Sequence, residues 1–344
     1  MSRRRSPDND RPVTLATIAE VVGVSRMTVS NAYNRPDQLS PALRDRILAA
    51  AAELGYGGPD PVARTLSRGE TGSIGVVLDY ALTQAFTDPA TVQFLHGVAA
   101  GCENHARGMA LVPRIDGRDA DLVGAALVDG FVLYCVPPGD PRMDAVRTRR
   151  LPYVGVDFAP DPDLTSVNID DEGAARAIAE HLVALGHRDF GIVLTLPDSG
   201  TTTAEAEARA VYHVEIARLA GWRAGLEAGG IDWSAVPVAG RDDFTRLLDR
   251  AQRPTAIIAL SDVLALHVIK AAAERGIDVP RDISVAGFDD VPEAALSTPP
   301  LTTIRQPHHD KGSEAIRLLL DGDPSDSVLL PTELVIRAST APAP

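Results

Sequence analysis

Two groups of residues in this 344-residue chain have the types and spacing for recognition chemistry. The first is Arg26, Met27, Thr28, Ser30 and Asn31, which follow directly on Ser25. An arginine fork can donate two hydrogen bonds to guanine, and an asparagine amide can pair with an adenine edge. Methionine offers only apolar contact, for instance with a thymine methyl. The second group is scattered. Asp79 and Tyr80, Asp157, Ser261 and Asp262, and Asp289 and Asp290 each follow a short apolar run. Brought together, such carboxylates and hydroxyls suit a polyhydroxylated ligand, because carboxylates accept hydrogen bonds from hydroxyls.

The first group needs a helix to present it. In TLATIAEVVGVSRMTVSNAYN, from Thr14 to Asn34, Leu15, Ile18, Ala19 and Val22 recur at helical spacing and give one apolar face. Thr14 is placed as an N-cap and Gly23 as a left-handed stop. Ser25 is the N-cap of a second helix, in which Val29, Ala32 and Tyr33 turn inward and Arg26, Met27, Ser30 and Asn31 share the outer face. The pattern is that of a helix-turn-helix, whose second helix enters the major groove; a helical hairpin from any α-helical protein is the competing reading. A third helix is predicted from Ser40 and Pro41 to Leu54, ended by Gly55. Residues 1–12 read as a disordered basic tail, 13–58 as the DNA-binding domain and 59–71 as hinge and linker. Within that linker, Asp60 and Pro61 can open a helix of about two turns, too short to stand alone in water. Leu66 is then either a wedge into the minor groove or a side chain packed on the body.

The second group needs parallel sheets. From Ser73 onward short apolar strands alternate with amphipathic helices: strands at Ile74–Leu78, Phe131–Val136, Tyr153–Val156, Phe190–Leu194, Ala256–Leu260 and Ser284–Phe288. Such alternation implies parallel sheets covered on both faces. The strands are too many for one small sheet, so residues 72–344 are expected to form two doubly wound subdomains around a cleft. The first covers about 72–168 and 306–329, the second about 169–303 and 331–340. In such sheets ligands bind beyond the carboxyl ends of the strands. Residues 201–213 read as helical or loose, and the chain after Leu330 as one last strand followed by an unstructured end.

Composition narrows the function. The net charge is −14, yet residues 1–70 carry ten arginines against eight carboxylates, leaving −16 on the remainder. A mildly basic head on an acidic body suits local DNA contact with little non-specific binding. Cys102 and Cys135 form no metal cluster or disulfide framework and read as reduced, buried thiols. No 18-residue apolar run and no export signal are present, so a cytoplasmic protein with no membrane partner is expected. Neither a Walker loop, a GxGxxG after the first strand nor an HExxH occurs. The adjacent His308 and His309 make a poor metal pair. No catalytic residue, metal or cofactor is therefore expected.

Taken in order, the segments TIAEVVGVSRMTVSNAYN, LGYGGPDPVARTLSRGETGSIGVV, HLVALGHR, RLAGWRAGL and PRDISVAGFDDVPEAALSTPPLTTIRQP resemble the lactose-repressor (LacI/GalR) family of bacterial transcription regulators. They span residues 14–307. The resemblance implies a small all-α helix-turn-helix head on a periplasmic-binding-protein-like α/β body of two doubly wound parallel-sheet subdomains, crossed by the chain near 168–171, 303–307 and 329–332. It places Thr14, Ser25, Arg26, Met27, Thr28, Ser30, Asn31 and Asn34 at the DNA, and Ala63, Arg64 and Leu66 in the minor groove. It places Asp79, Asp157, Arg218, Ser261 and Asp289 around an effector, with Phe86 and His308 where some relatives set a ring against it; Tyr80 and Asp262 join them by the strand-end rule. Three features depart from the usual pattern: Gly57–Gly58 before the hinge, Asp60 where asparagine is more usual, and Ser261 where asparagine is commoner.

For several of these residues a purely structural role competes. Asp262 and Asp290 can cap helices, His187 and Arg188 can fix a turn, and Trp222 can be core. The expected function is a homodimeric regulator of a near-palindromic operator, controlled by a small molecule, with a carbohydrate the leading class. Inducer-released repression and corepressor-dependent or activating control are both compatible with the sequence. A solute-binding protein would share the body but not the head.

Overall fold

The computed structural model describes residues 13–58, 69–115, 117–195, 202–322 and 327–344. The chain forms two units, residues 1–71 and 72–344. The expectations for the tail 1–12 and for the hinge positions Asp60, Ala63, Arg64 and Leu66 lie outside the described residues.

In the head, local chemistry sets the helix ends. Helix α1 (Leu15–Val22) is capped by Thr14, whose Oγ1 accepts from Thr17 N while Thr14 N donates to Thr17 Oγ1 at 3.2 Å. Gly23 stops it at φ 73°, a conformation that costs glycine little. Ser25 caps α2 (Arg26–Asn34), its Oγ accepting from Thr28 N at 3.0 Å. Ser40 caps α3 (Pro41–Glu53), with proline at the first position. Ile18, Ala19, Val29, Ala32, Ile47 and Ala51 form a small core, rimmed by Leu15, Val22, Tyr33 and Tyr56.

The body contains two parallel sheets. Its elements run in the order β1 (Ser73–Leu78), α4 (Pro89–Asn104), β2 (Gly108–Val112), β3 (Gly130–Tyr134), α5 (Pro141–Arg149), β4 (Tyr153–Val156), β5 (Ser166–Ile169), α6 (Asp171–Ala184), β6 (Phe190–Val193), α7 (Thr203–Arg209), α8 (His213–Ala228), β7 (Val238–Ala239), β8 (Ala256–Ala259), α9 (Asp262–Glu274), β9 (Ser284–Ala286), β10 (Thr303–Arg305), α10 (His308–Asp321), β11 (Val328–Leu330) and β12 (Glu333–Val335). The first sheet has the order β11-β5-β4-β3-β1-β2 and the second β7-β6-β8-β9, all pairs parallel. The antiparallel pair β10–β12 forms a separate two-stranded sheet, with β10 on the chain's passage from the second sheet back to the first and β12 directly after β11. The apolar runs that mark the strands are wholly buried in β3, β6 and β8, as strands covered on both faces must be.

Glycines bring helices close where the cleft needs them. A Cβ on Gly97 of α4 would collide with the His309 carbonyl, so this glycine lets α10 lie directly on α4. Gly221 of α8 likewise meets the Glu172 carbonyl of α6. The first contact fixes the helix that carries His308 and Lys311, the second the helix that carries Arg218.

Several sequence expectations change. Within residues 201–213, read as helical or loose, 203–209 prove to be the capped helix α7, and α8 begins at His213. The end of the chain is not unstructured. Val285 N donates to Ser339 O at 2.9 Å, Ser339 Oγ donates to Val285 O at 2.6 Å, and Ala341 N donates to Ser284 Oγ at 3.1 Å. Strand β9 ends its sheet, and the tail covers backbone groups that an open edge would leave unpaired. His187, hydrogen-bonded to the Thr255 and Ser284 hydroxyls and donating to the Ala341 carbonyl, ties the same tail down. Cys102 is buried, but Cys135 is only half-buried.

Candidate functional sites: a DNA-reading helix and an inter-subdomain cleft

On α2 the first turn is open. Arg26 is exposed and Met27 is 69% exposed. The hydroxyls of Ser25 and Thr28 lie 2.8 Å apart at the cap, and Thr14 is occupied in capping α1. Asn31 Nδ2 donates to Gln38 Oε1 at 3.1 Å, and Asn34 Nδ2 donates to Ser30 Oγ at 3.2 Å. Asn31 therefore has its amide held in one orientation, while Arg26 and Met27 project freely. Arg46 Nη2 donates to Val22 O at 3.1 Å and ties α3 to the end of α1. An exposed helix N-terminus with free N–H groups also favours phosphate.

In the body the strand-end rule brings Asp79, Asp157 and Asp289 to one cleft, and each is at most 7% exposed. None waits as a bare carboxylate. Asp79, after β1, pairs with the wholly buried Arg142. Arg142 also donates to Asp140 Oδ1 at 2.8 Å and to Leu78 O at 2.6 Å. Arg114 Nη1 approaches Asp79 Oδ1 at 3.3 Å, and Tyr212 OH donates to its Oδ2. Asp157, after β4 and at φ 62°, receives the ammonium of Lys311. Lys311 also donates to Gln306 Oε1 at 2.6 Å, and Gln306 Nε2 donates to Asp289 Oδ1 at 2.6 Å. One hydrogen-bonded line thus runs from Asp157 at the end of β4, in the first sheet, to Asp289 beyond β9 of the second.

Arg218 is the cationic centre of the second subdomain. Its Nε donates to Asp171 Oδ1 and its Nη1 to Leu260 O, both at 2.8 Å. Asp289 Oδ1 lies 3.9 Å from Nη1, and the guanidinium stacks 3.6 Å from the Phe288 ring centroid. Burial pushes the Asp171 carboxyl up against the opposing pull of Arg218. His308 is 3% exposed, with Nε2 3.7 Å from Asp289 Oδ1 and no hydrogen bond on either ring nitrogen. Glu215, one turn before Arg218, is 4% exposed and its Oε1 has no partner. Burial pushes its carboxyl up to about 7, with Arg218 opposing.

Other expected contacts are otherwise employed. Tyr80 OH lies 2.5 Å from Thr91 Oγ1. Ser261 Oγ caps α9, accepting from Leu264 N at 3.4 Å. Asp262 is wholly buried, with Oδ1 accepting from Thr303 Oγ1 at 2.5 Å and Oδ2 from Val291 N at 3.0 Å. It clamps the loop after β9 to β10 instead of capping its own helix. Burial, then Asp289, pushes it up to about 7. Phe86 is 63% exposed at the end of the short helix Leu82–Ala85, with no ring stacked on it among the described residues. Asp290 pairs with Arg305 and Arg337 instead of capping a helix, and Trp222 is core.

A cavity of about 370 Å3 remains at the ends of β3 and β4, lined in part by Cys135, Asp140, Asp157 and Asp161 on one side and Tyr212 and His213 on the other. Sequence reading passed over Arg142, Asp171, Tyr212, Glu215, Gln306 and Lys311. A signal existed for Lys311: it is one of two lysines in a chain that otherwise uses arginine. Among the described residues no group of histidine, cysteine and carboxylate side chains could hold a metal ion, and no helix is long and apolar enough to cross a membrane.

Residues 14–58 match the model of bacterial regulatory proteins of the lacI family, and residues 179–340 that of the periplasmic binding protein-like domain. The chain is 41% identical to the HTH-type transcriptional regulator Rv3575c of Mycobacterium tuberculosis, over 98% of this chain and 99% of that one. The lac repressor dimer bound to operator and the anti-inducer ONPF superposes with a TM-score of 0.76 at 28% identity, covering 96% of this chain and all of that one. A complex of the transcriptional regulator CelR with cellobiose gives 0.69 at 28% identity, with the same coverage. With a DNA-reading head and a binding-protein body in one chain, the protein belongs to the LacI family of bacterial regulatory proteins and is a DNA-binding transcriptional regulator, not an enzyme.

Proposed function

We propose that this regulator is a homodimeric repressor of the cytoplasm that clasps a near-palindromic operator with two heads and is controlled by a small, neutral, hydroxyl-rich effector in the cleft. The line Asp157–Lys311–Gln306–Asp289 carries this reading, because a ligand bound to it touches both subdomains at once. A ligand that prefers one degree of closure shifts the body toward it by no more than its differential affinity, typically about 1–3 kcal/mol. Arg218, Asp157, Asp289 and His308 are the contacts we assign to the effector, and Arg26, Met27, Thr28, Ser30 and Asn31 those to DNA.

The two similar structures support the two halves of the reading: one is a dimer on operator DNA, the other holds a disaccharide. We assign residues 59–71 as the hinge between the units, with Ala63, Arg64 and Leu66 meeting the minor groove and Leu66 bending the duplex. The test is a thermal-shift screen of the intact chain against monosaccharides, disaccharides, polyols and nucleosides, repeated on Arg218→Ala. A hit raises the melting point of the parent chain and not of the variant. The hit is then added to an operator-binding assay, where release marks an inducer and strengthening marks a corepressor. A panel in which sugars and polyols give no shift and another class does would overturn the effector assignment.

A further inference from the structure

Tyr212 crosses the cleft. It stands at the N-cap of α8, with φ −83° and ψ 135°, yet makes no side-chain cap bond. Serine, threonine, aspartate or asparagine would stabilise that position by accepting from the first-turn N–H groups. The tyrosine hydroxyl is instead used at long range, donating to Asp79 Oδ2 at the end of β1 in the other subdomain. The rest of Asp79 is taken by cations, Arg142 on Oδ1 and Arg114 Nη1 at 3.3 and 3.4 Å from the two oxygens. The phenol therefore holds the position on Asp79 to which a ligand could donate. A phenol presents the same O–H donor as a ligand alcohol.

We propose that Tyr212 is a specificity-determining clasp: its hydroxyl occupies the seat of an effector hydroxyl on Asp79 and holds the two subdomains together until it is displaced. This rests on the reading of the cleft as the effector site. Burial, with the bond to Asp79, pushes the phenol up to about 12, so it remains a donor throughout the physiological range. A ligand with a hydroxyl at that seat gains Asp79 and opens the clasp. A ligand without one leaves the clasp shut. Because Tyr212 leads into the helix that carries Arg218, releasing it also frees the leading end of that helix.

Cys135 reports the state of the clasp. It lines the same cavity as Tyr212, with Sγ 3.7 Å from Asp157 Oδ2, and is half-buried, whereas Cys102 is 2% exposed on α4. The experiment follows iodoacetamide alkylation of both cysteines in the intact chain by peptide mass, without DNA or effector. Tyr212→Phe keeps the ring and removes the hydroxyl. Its Cys135 is expected to react about tenfold faster, the scale set by losing one hydrogen bond to a charged group, while protection of Cys102 certifies the fold. Tyr212→Ala is expected to match it. An unchanged Cys135 rate in Tyr212→Phe overturns the clasp, and so does a rise confined to Tyr212→Ala, which assigns closure to ring packing. A chain that bound no operator would leave this result untouched, and a chain without the clasp could still be a repressor.

Discussion

Lys311 donates its ammonium to the carboxylate of Asp157 in the interior of the body, with the lysine wholly buried and Asp157 6% exposed. Two residues 154 positions apart in sequence thereby fix the end of β4 against α10. Breaking a buried pair from one side leaves an uncompensated charge, which costs about 3–5 kcal/mol. Lys311→Met is expected to lower unfolding free energy on that scale in urea titrations. Adding Asp157→Asn should recover a substantial part, since asparagine tolerates the positive φ of 62°.

Glu215 makes stability depend on pH. An unperturbed glutamate titrates near 4.5, and burial pushes this one up to about 7. Between those values the folded chain holds a proton that the unfolded chain has released, so stability falls as pH rises through the window and is level above it. Glu215→Gln removes the effect. Its stability relative to the parent chain is expected to be unchanged near pH 4 and higher by on the order of 2–3 kcal/mol near pH 8. Urea midpoints measured across that range check the sign.

Ser339 links the tail to β9 and to Thr302, accepting from Thr302 N at 2.8 Å and donating to Val285 O at 2.6 Å. Ser339→Ala leaves both backbone groups without that partner, at a cost of about 1–3 kcal/mol. Removing residues 336–344 exposes the sheet edge and is expected to promote association by strand pairing. Light scattering of the shortened chain during mild heating reads this out.

On the head, Arg26→Ala is expected to weaken binding to a selected operator by about 1–3 kcal/mol, and to weaken binding to random DNA less. Equal loss on both would make Arg26 a phosphate contact. Gly23→Ala places a Cβ at φ 73°, with open space around it. The strain alone should lower the melting point of the head, at about 1 kcal/mol.

The parts of this architecture legible in sequence are those whose cause is local. Thr14, Gly23 and Ser25 define helix ends within a few residues, and apolar runs ending in Asp79, Asp157 and Asp289 mark strand ends without further information. Arg142 and Tyr212 were not legible, and Lys311 only through its rarity, because each acquires its role from a partner 63 to 154 positions away. Asp262 resembled a ligand group by position alone, and only the fold shows that Thr303 and Val291 N consume it. The tail misled for a related reason. Its alanines and prolines have no strand signature, and its order comes from backbone groups that β9 leaves available.

The most direct measurement of the central claim is selection of genomic DNA fragments on the purified intact chain, followed by affinity for the enriched fragment across a salt series. The account predicts one near-palindromic motif, with log affinity falling linearly as log salt rises, because phosphate contacts release counterions. A selection that enriches no fragment over random DNA, with or without the metabolites that stabilise the body, would contradict it.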